Sequence, residues 1–173
     1  MNISKIGSGK NPNEINAIIE VPIHSHIKYE IDKHSGAICV DRVLYTSMHY
    51  PANYGFVADT LADDGNPIDI LVLCDYALQV GSCIKCKLVG VLLTEDENGK
   101  DEKILAVPTA AIDPTYAHIN DLTDIPLHTL NRIKNFFETY KMLEPNKWIK
   151  VDGFKDKEVA TGLLDKAIKN FNS

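Results

Sequence analysis

The run Asp63-Asp64-Gly65-Asn66-Pro67-Ile68-Asp69-Ile70-Leu71-Val72-Leu73 splits into a dense cluster of turn formers and a short apolar segment. That order predicts a turn feeding a buried strand. Asp69 then stands at the mouth of a core strand, where a turn has no need of an acid. An unpaired buried carboxylate costs several kcal/mol or takes up a proton, so a cation or strong donors are expected beside it.

Upstream of this run, Ile15 to Val21 is apolar and ends at Pro22, with Glu20 where the strand should leave the core. Ile27 to Asp32 alternates, which turns Ile27, Tyr29 and Ile31 inward and sets Lys28 beside Glu30 on the other face. Asp32 to Gly36 supplies a turn, and Ala37 to Leu44, containing Arg42, is the returning strand of a hairpin. Tyr50-Pro51-Ala52-Asn53-Tyr54-Gly55 reads as a loop setting two phenols on one rim. Downstream, Ser82 to Leu93 and Ile104 to Val107 are strands, with Asn98-Gly99 as a hairpin-type turn between them.

Beyond about residue 115 the period changes. Leu127, Leu130, Ile133, Phe137 and Tyr140 recur at helical spacing, with Thr123 or Asp124 as N-cap and Pro126 in the first turn. Lys147 to Val151 is a short strand, and a last helix runs from a cap near Asp156 through Val159, Leu163, Ala167 and Phe171. Several short strands followed by helices predict an α+β fold, a closed or nearly closed β-barrel with helices on one side. At 173 residues the chain fits one domain spanning 1–173.

A net charge of −6 disfavours nucleic-acid partners, which select for clustered Lys and Arg. No apolar run approaches the ~20 residues of a bilayer span, and Met1 to Lys5 lacks the apolar core of a secretion signal. Cys39, Cys74, Cys83 and Cys86 lie in apolar segments without framework spacing. Reduced, buried thiols in a cytoplasmic protein are the expectation. Cys83 and Cys86 are three apart on a strand, so they face opposite ways and make no zinc site. The six histidines lack a third ligand at metal spacing, and no Gly-rich nucleotide loop or Gly-x-Ser-x-Gly elbow is present.

Two constellations remain. Glu20, Glu30, Asp64, Asp69, Asp96 and Asp101 are carboxylates at strand ends and loops, the hard oxygen donors that Mg²⁺ takes together with substrate phosphates. Read by spacing alone, they serve equally well as turn formers and solubilising charge. Lys28, Arg42, Lys103 and Lys141, with Tyr50, Tyr54 and Tyr140, could grip phosphate through a bidentate guanidinium, point charges and phenolic donors. Taken singly, each is as well explained by core packing or a local ion pair.

In these segments the chain resembles the soluble family I inorganic pyrophosphatases of the short bacterial type. The likeness runs from about Ile15 to the C-terminus and is carried by Ile27 to Lys33, Val40-Asp41-Arg42, Tyr50 to Gly55, Asp64 to Val72, Glu95 to Lys103 and Phe136-Phe137-Glu138-Thr139-Tyr140-Lys141. It implies a five-stranded OB-like barrel with two main helices alongside, a homohexamer, and Mg²⁺-dependent hydrolysis of pyrophosphate to two phosphates with several ions per site. By the same resemblance, Asp64, Asp69 and Asp101 would hold the ions that activate water, and Asp96 and Asp101 those that arrive with substrate. Glu20 and Glu30 would act on metals directly or through water. Lys28, Arg42, Lys103, Tyr140 and Lys141 would bind phosphates, with Tyr54 supporting the water-activating site.

The likeness breaks at Asn66, where the family carries Asp beside the attacking water. An amide cannot accept that water's proton. General-base contributions are typically about 10²–10⁴-fold, so reduced turnover and a profile shifted to higher pH are expected, unless metal activation makes the base dispensable. The rival readings are a non-catalytic polyanion-binding OB-type module and a phosphatase of other phosphate esters. The first lacks an exposed run of aromatics interleaved with Lys and Arg.

Overall fold

In chain order the strands are β1 (Gly9–Lys10), β2 (Glu14–Val21), β3 (Ile27–Ile31), β4 (Ile38–Val43), β5 (Asn53–Val57), β6 (Asp69–Val72), β7 (Cys83–Asp96), β8 (Gly99–Lys100), β9 (Lys103–Pro108) and β10 (Ile149–Lys155). Helix α1 (Leu127–Thr139) precedes β10 and α2 (Lys157–Phe171) follows it. This computed structural model describes residues 6–32 and 35–173; the readings made above on Met1 to Lys5, Lys33 and His34 lie outside them.

The barrel closes because β2, β5, β6, β9 and β7 pair in that order and β7 pairs back with β2. The architecture is α+β, a five-stranded OB-like barrel with two helices. Closure leaves no open edge among these five strands. Strand β2 shows why the sequence supports it: Ile15, Ala17, Ile18, Ile19 and Val21 are all fully buried. Gly55 is fixed by the same pairing, since a Cβ there would lie 1.8 Å from the Ile18 carbonyl oxygen. Only glycine lets β5 approach β2 this closely.

Strands β6 and β9 run parallel, with Asp69 opposite Lys103. Strands β3 and β4 form a separate two-stranded hairpin beside the barrel. Two large apolar clusters fill most of the interior, and a small third one joins Ile18, Ile31 and Ala58. One of the large two packs Ala160, Leu164 and Ala167 of α2 on Ile15, Ile70, Leu88 and Ile104. The other packs Ile133, Phe136 and Phe137 of α1 on Leu71, Leu92 and Leu105. Each fully buried large side chain contributes about 1.5–3 kcal/mol.

Several expectations are corrected. Tyr50 to Gly55 is not a simple loop: β5 starts at Asn53, whose buried Oδ1 accepts from the backbone N–H groups of Ile23 (3.0 Å) and Leu78 (2.9 Å). Tyr50 does not reach a rim; it is buried against Tyr54 and Phe136. Helix α1 has Pro126 as N-cap without a side-chain bond, while Thr123 and Asp124 lie in a 3₁₀ turn capped by Asp121. Leu127 is exposed, because the docked face begins a turn later. Asp156 does cap α2, but the buried positions are Ala160, Leu164 and Ala167, with Val159 and Phe171 exposed. Strand β10 starts at Ile149 and runs on to Lys155 because it pairs along the far half of β7. Cys74 and Cys86 are buried, whereas Cys39 and Cys83 are exposed, and all four are free.

Candidate active site

One cleft of about 830 Å³ opens where the barrel mouth, the β3–β4 hairpin, the 58–67 loop and the turn after α1 meet. Its walls include Glu20, Lys28, Glu30, Arg42, Tyr54, Asp64, Asn66, Asp69, Asp96, Asp101, Lys103, Tyr140 and Lys141. Of the candidates from the sequence these thirteen are therefore brought to one place, and Tyr50 is not. Lys147, Glu97, Asn98 and Asp59, which the sequence did not single out, line it too.

The parallel register of β6 and β9 builds the centre. It sets Lys103, 1% exposed, between Asp69 and Asp101, each at 2.8 Å from Nζ. The Tyr54 hydroxyl donates to the same Asp69 oxygen. Asp69 thus has both the cation and the donor expected for an acid at a strand mouth. Burial pushes the Asp69 carboxyl up despite Lys103; burial also raises Asp101, but Lys103 more than offsets it and holds Asp101 low. Lys103 is buried yet stays charged, because the two carboxylates outweigh its desolvation and raise its pKa. Tyr54 and Tyr140 are kept as neutral phenols by burial first and by the nearby acids second.

Glu20 leaves β2 toward the cleft, and its Oε1 accepts the Ile31 N–H at 3.0 Å. Burial raises its pKa to about 7; that hydrogen bond and Lys28 lower it less, while Asp69 and Glu30 add to the rise. At the opposite wall, Lys141 meets Asp96 at 2.8 Å and Glu97 at 3.9 Å. Lys147 also pairs with Glu97, whose pKa falls to about 2 because Lys147, its own backbone and Lys141 overcome its burial. On the hairpin Lys28 meets Glu30 at 2.6 Å, as the alternation predicted, and Asp41 at 3.5 Å.

Asp64 and Asn66 stand on an exposed turn that Gly65, at φ 82°, allows to reverse. Asn66 donates to Asp64 twice, from its backbone at 2.9 Å and from Nδ2 at 3.1 Å. Among the described residues no three His, Cys, Asp or Glu side chains stand close enough to cage a metal ion as they are. Glu30, Asp69, Asp96, Glu97 and Asp101 are paired with lysines instead. Nine carboxylates face five cations, Lys28, Arg42, Lys103, Lys141 and Lys147, around the cleft, so the described lining stays acidic even with Glu20 protonated. Hard oxygen donors in such excess fit divalent cations, whose charge an anionic substrate would otherwise lack.

An OB-like barrel whose mouth sets many carboxylates beside lysines and an arginine suits the class of enzymes that cleave phosphoric anhydrides with metal help. Residues 17–172 match the family model for inorganic pyrophosphatase. The chain is 63% identical over 171 residues to the inorganic pyrophosphatase of Campylobacter jejuni and 55% identical over 171 residues to that of Helicobacter pylori, covering 99% of each chain in both cases. The fold is similar to the solved inorganic pyrophosphatase of Helicobacter pylori, with a TM-score of 0.95, 54% identity and 98% of this chain and 99% of that one covered. It is equally similar to that of Thermus thermophilus, at TM-score 0.95 and 41% identity over the whole of both chains. The chain belongs to the inorganic pyrophosphatase family, a family of metal-dependent enzymes. It hydrolyses pyrophosphate to phosphate.

Proposed function

We propose that the whole chain, as one catalytic unit, uses Mg²⁺ and several ions per site, and that its thirteen cleft residues divide the work. Asp64, Asp69, Asp96 and Asp101 hold the ions, with Glu20 and Glu30 acting directly or through water. When bound, such ions lower the pKa of the attacking water and neutralise charge on the phosphates. Lys28, Arg42, Tyr140 and Lys141 donate to phosphate oxygens, and Lys103 does so from between Asp69 and Asp101. Tyr54 fixes the orientation of Asp69 through its hydroxyl.

Asn66 lies where a base would be useful, yet its amide donates to Asp64 and cannot take a proton. Proton removal therefore falls to the metals and to the other carboxylates, and turnover is reduced with a profile moved to higher pH. The observation that carries this reading is the acidic excess of the cleft. A multiply charged anion has no reason to enter it unless divalent cations come too. Phosphate release from pyrophosphate, ATP and a phosphate monoester, each with and without Mg²⁺, tests it: release confined to pyrophosphate plus Mg²⁺ is expected. Equal release from the monoester would overturn it.

The reading extends to a homohexamer in the cytoplasm. Exposed Ile38, Val40, Val43 and Tyr45 on the hairpin and Met142 and Leu143 after α1 are apolar surface that association would cover. Among the described residues no helix is long and apolar enough to cross a membrane. Sedimentation of the purified chain tests the assembly.

A further inference from the structure

Arg42 is gripped from two sides. Its Nε donates to Asp41 at 2.7 Å, and its Nη1 donates to Glu144 Oε2. Glu144 stands 102 residues further on, in the turn after α1, with its backbone N–H bonded to the Lys141 carbonyl at 2.9 Å. The side chain is 5% exposed, against 27% for Arg42, and does not line the cleft. Its second oxygen, Oε1, is buried and has no hydrogen-bond partner among the described residues.

We infer that Glu144 is a positioning residue for substrate capture: it aims the Arg42 guanidinium from the β3–β4 hairpin toward the turn that carries Tyr140 and Lys141. The inference rests on reading Arg42 as a phosphate ligand. A guanidinium has five N–H donors in a rigid fork, and Asp41 and Glu144 take two of them. Three are left for phosphate oxygens, in an orientation fixed by the two carboxylates. The hairpin is a separate two-stranded sheet, so its Arg42 needs a tie to the other phosphate-binding side chains. The pair makes a poor stabiliser, since one carboxylate oxygen is desolvated without a partner. Positioning accounts for an acid at this spot where stability does not.

The test is a cycle in the full chain with Mg²⁺: Glu144→Met, Glu144→Gln, Arg42→Lys, and each Glu144 change combined with Arg42→Lys. KM and kcat for pyrophosphate and the thermal midpoint are measured for each. Glu144→Met, which fills the space but accepts no bond, should raise KM about tenfold with kcat within about threefold, the scale of losing one charge-assisted hydrogen bond. Glu144→Gln, which still accepts from Arg42, should restore KM to within about threefold of the parent. In the Arg42→Lys background neither change should add to KM. If Glu144→Met does not fold, Glu144→Ala takes its place: a severalfold rise in KM that vanishes with Arg42→Lys supports the inference, and no rise, or one that persists there, sinks it. An unchanged KM in folded Glu144→Met, with KM raised in Arg42→Lys, overturns the inference alone. An unchanged KM in Arg42→Lys overturns the reading of Arg42 beneath it.

Discussion

Replacing Glu20 by Gln should stabilise the metal-free protein above neutral pH and do little below it. The carboxyl titrates near 7 in the fold, against an ordinary value of 4.5, chiefly because it is buried. Between these values the folded chain keeps a proton that the unfolded chain has released, so stability falls as pH rises through this window. Above about 7 the loss is complete and corresponds to about 3 kcal/mol, at about 1.4 kcal/mol per pH unit. Gln keeps the shape and the oxygen that accepts the Ile31 N–H at 3.0 Å. Its new N–H₂ group needs a partner, which cuts the gain to about 2 kcal/mol. For a chain of this length that is a rise of about 4–8 °C in the thermal midpoint at pH 8 in EDTA. At pH 5 the midpoints of Glu20→Gln and the parent should nearly coincide, and Mg²⁺ at pH 8 should narrow the gap by favouring the charged carboxyl. Equal gains at pH 5 and pH 8 would refute the argument, because a pH-independent effect cannot come from titration of Glu20.

Asn66→Asp should raise kcat about 100-fold and move the rate profile to lower pH, since a carboxylate can take the proton an amide cannot; phosphate release across pH checks both. Lys103→Met leaves Asp69 and Asp101 without their shared cation, so EDTA-treated protein should lose about 3 kcal/mol of stability. Thermal melts with added Mg²⁺ should recover part of that loss. Tyr54→Phe removes only the hydroxyl on Asp69, and kcat should fall about tenfold with the midpoint nearly unchanged; steady-state kinetics beside a melt separates the two. Gly55→Ala forces a Cβ to within 1.8 Å of the Ile18 carbonyl and should cost more than about 3 kcal/mol, read as a lowered urea midpoint.

Asp69 was legible in the sequence because an acid at the head of an apolar strand demands a partner wherever that partner lies. Which partner was not legible. Lys103 reaches it through a parallel pairing of β6 with β9, and such pairing between non-consecutive strands leaves no local signal. The hairpin β3–β4 was readable from alternation, and so was the Lys28–Glu30 pair that follows from it. Tyr50 and Asn53 misled for a physical reason: beside Pro51 they imitate turn chemistry, while the tertiary fold uses one as core and the other as a clasp across two loops. Glu144, between Leu143 and Pro145, looks like an ordinary surface acid. Its only cue was its place just after Tyr140 and Lys141. Lys147 and Glu97 were likewise hidden, because their pairing needs the return of the chain along β10.

The ion pairs of the cleft explain why an acidic pocket can serve an anionic substrate. Lys28, Arg42, Lys103, Lys141 and Lys147 each rest on at least one carboxylate. A phosphate offered alone must compete with those carboxylates for every cation and meets the remaining acids as well. Cations offered alone meet carboxylates partly neutralised by lysine. On the proposed reading, the two offered together would satisfy both sides: the carboxylates would hold the ions, and the lysines they leave would donate to phosphate oxygens. The exchange replaces charge pairs by charge pairs, so the gross electrostatic cost of opening each one is largely offset. Lys103 is where the two exchanges meet, since its Nζ holds Asp69 and Asp101 at the same 2.8 Å and releases both if it turns to a phosphate.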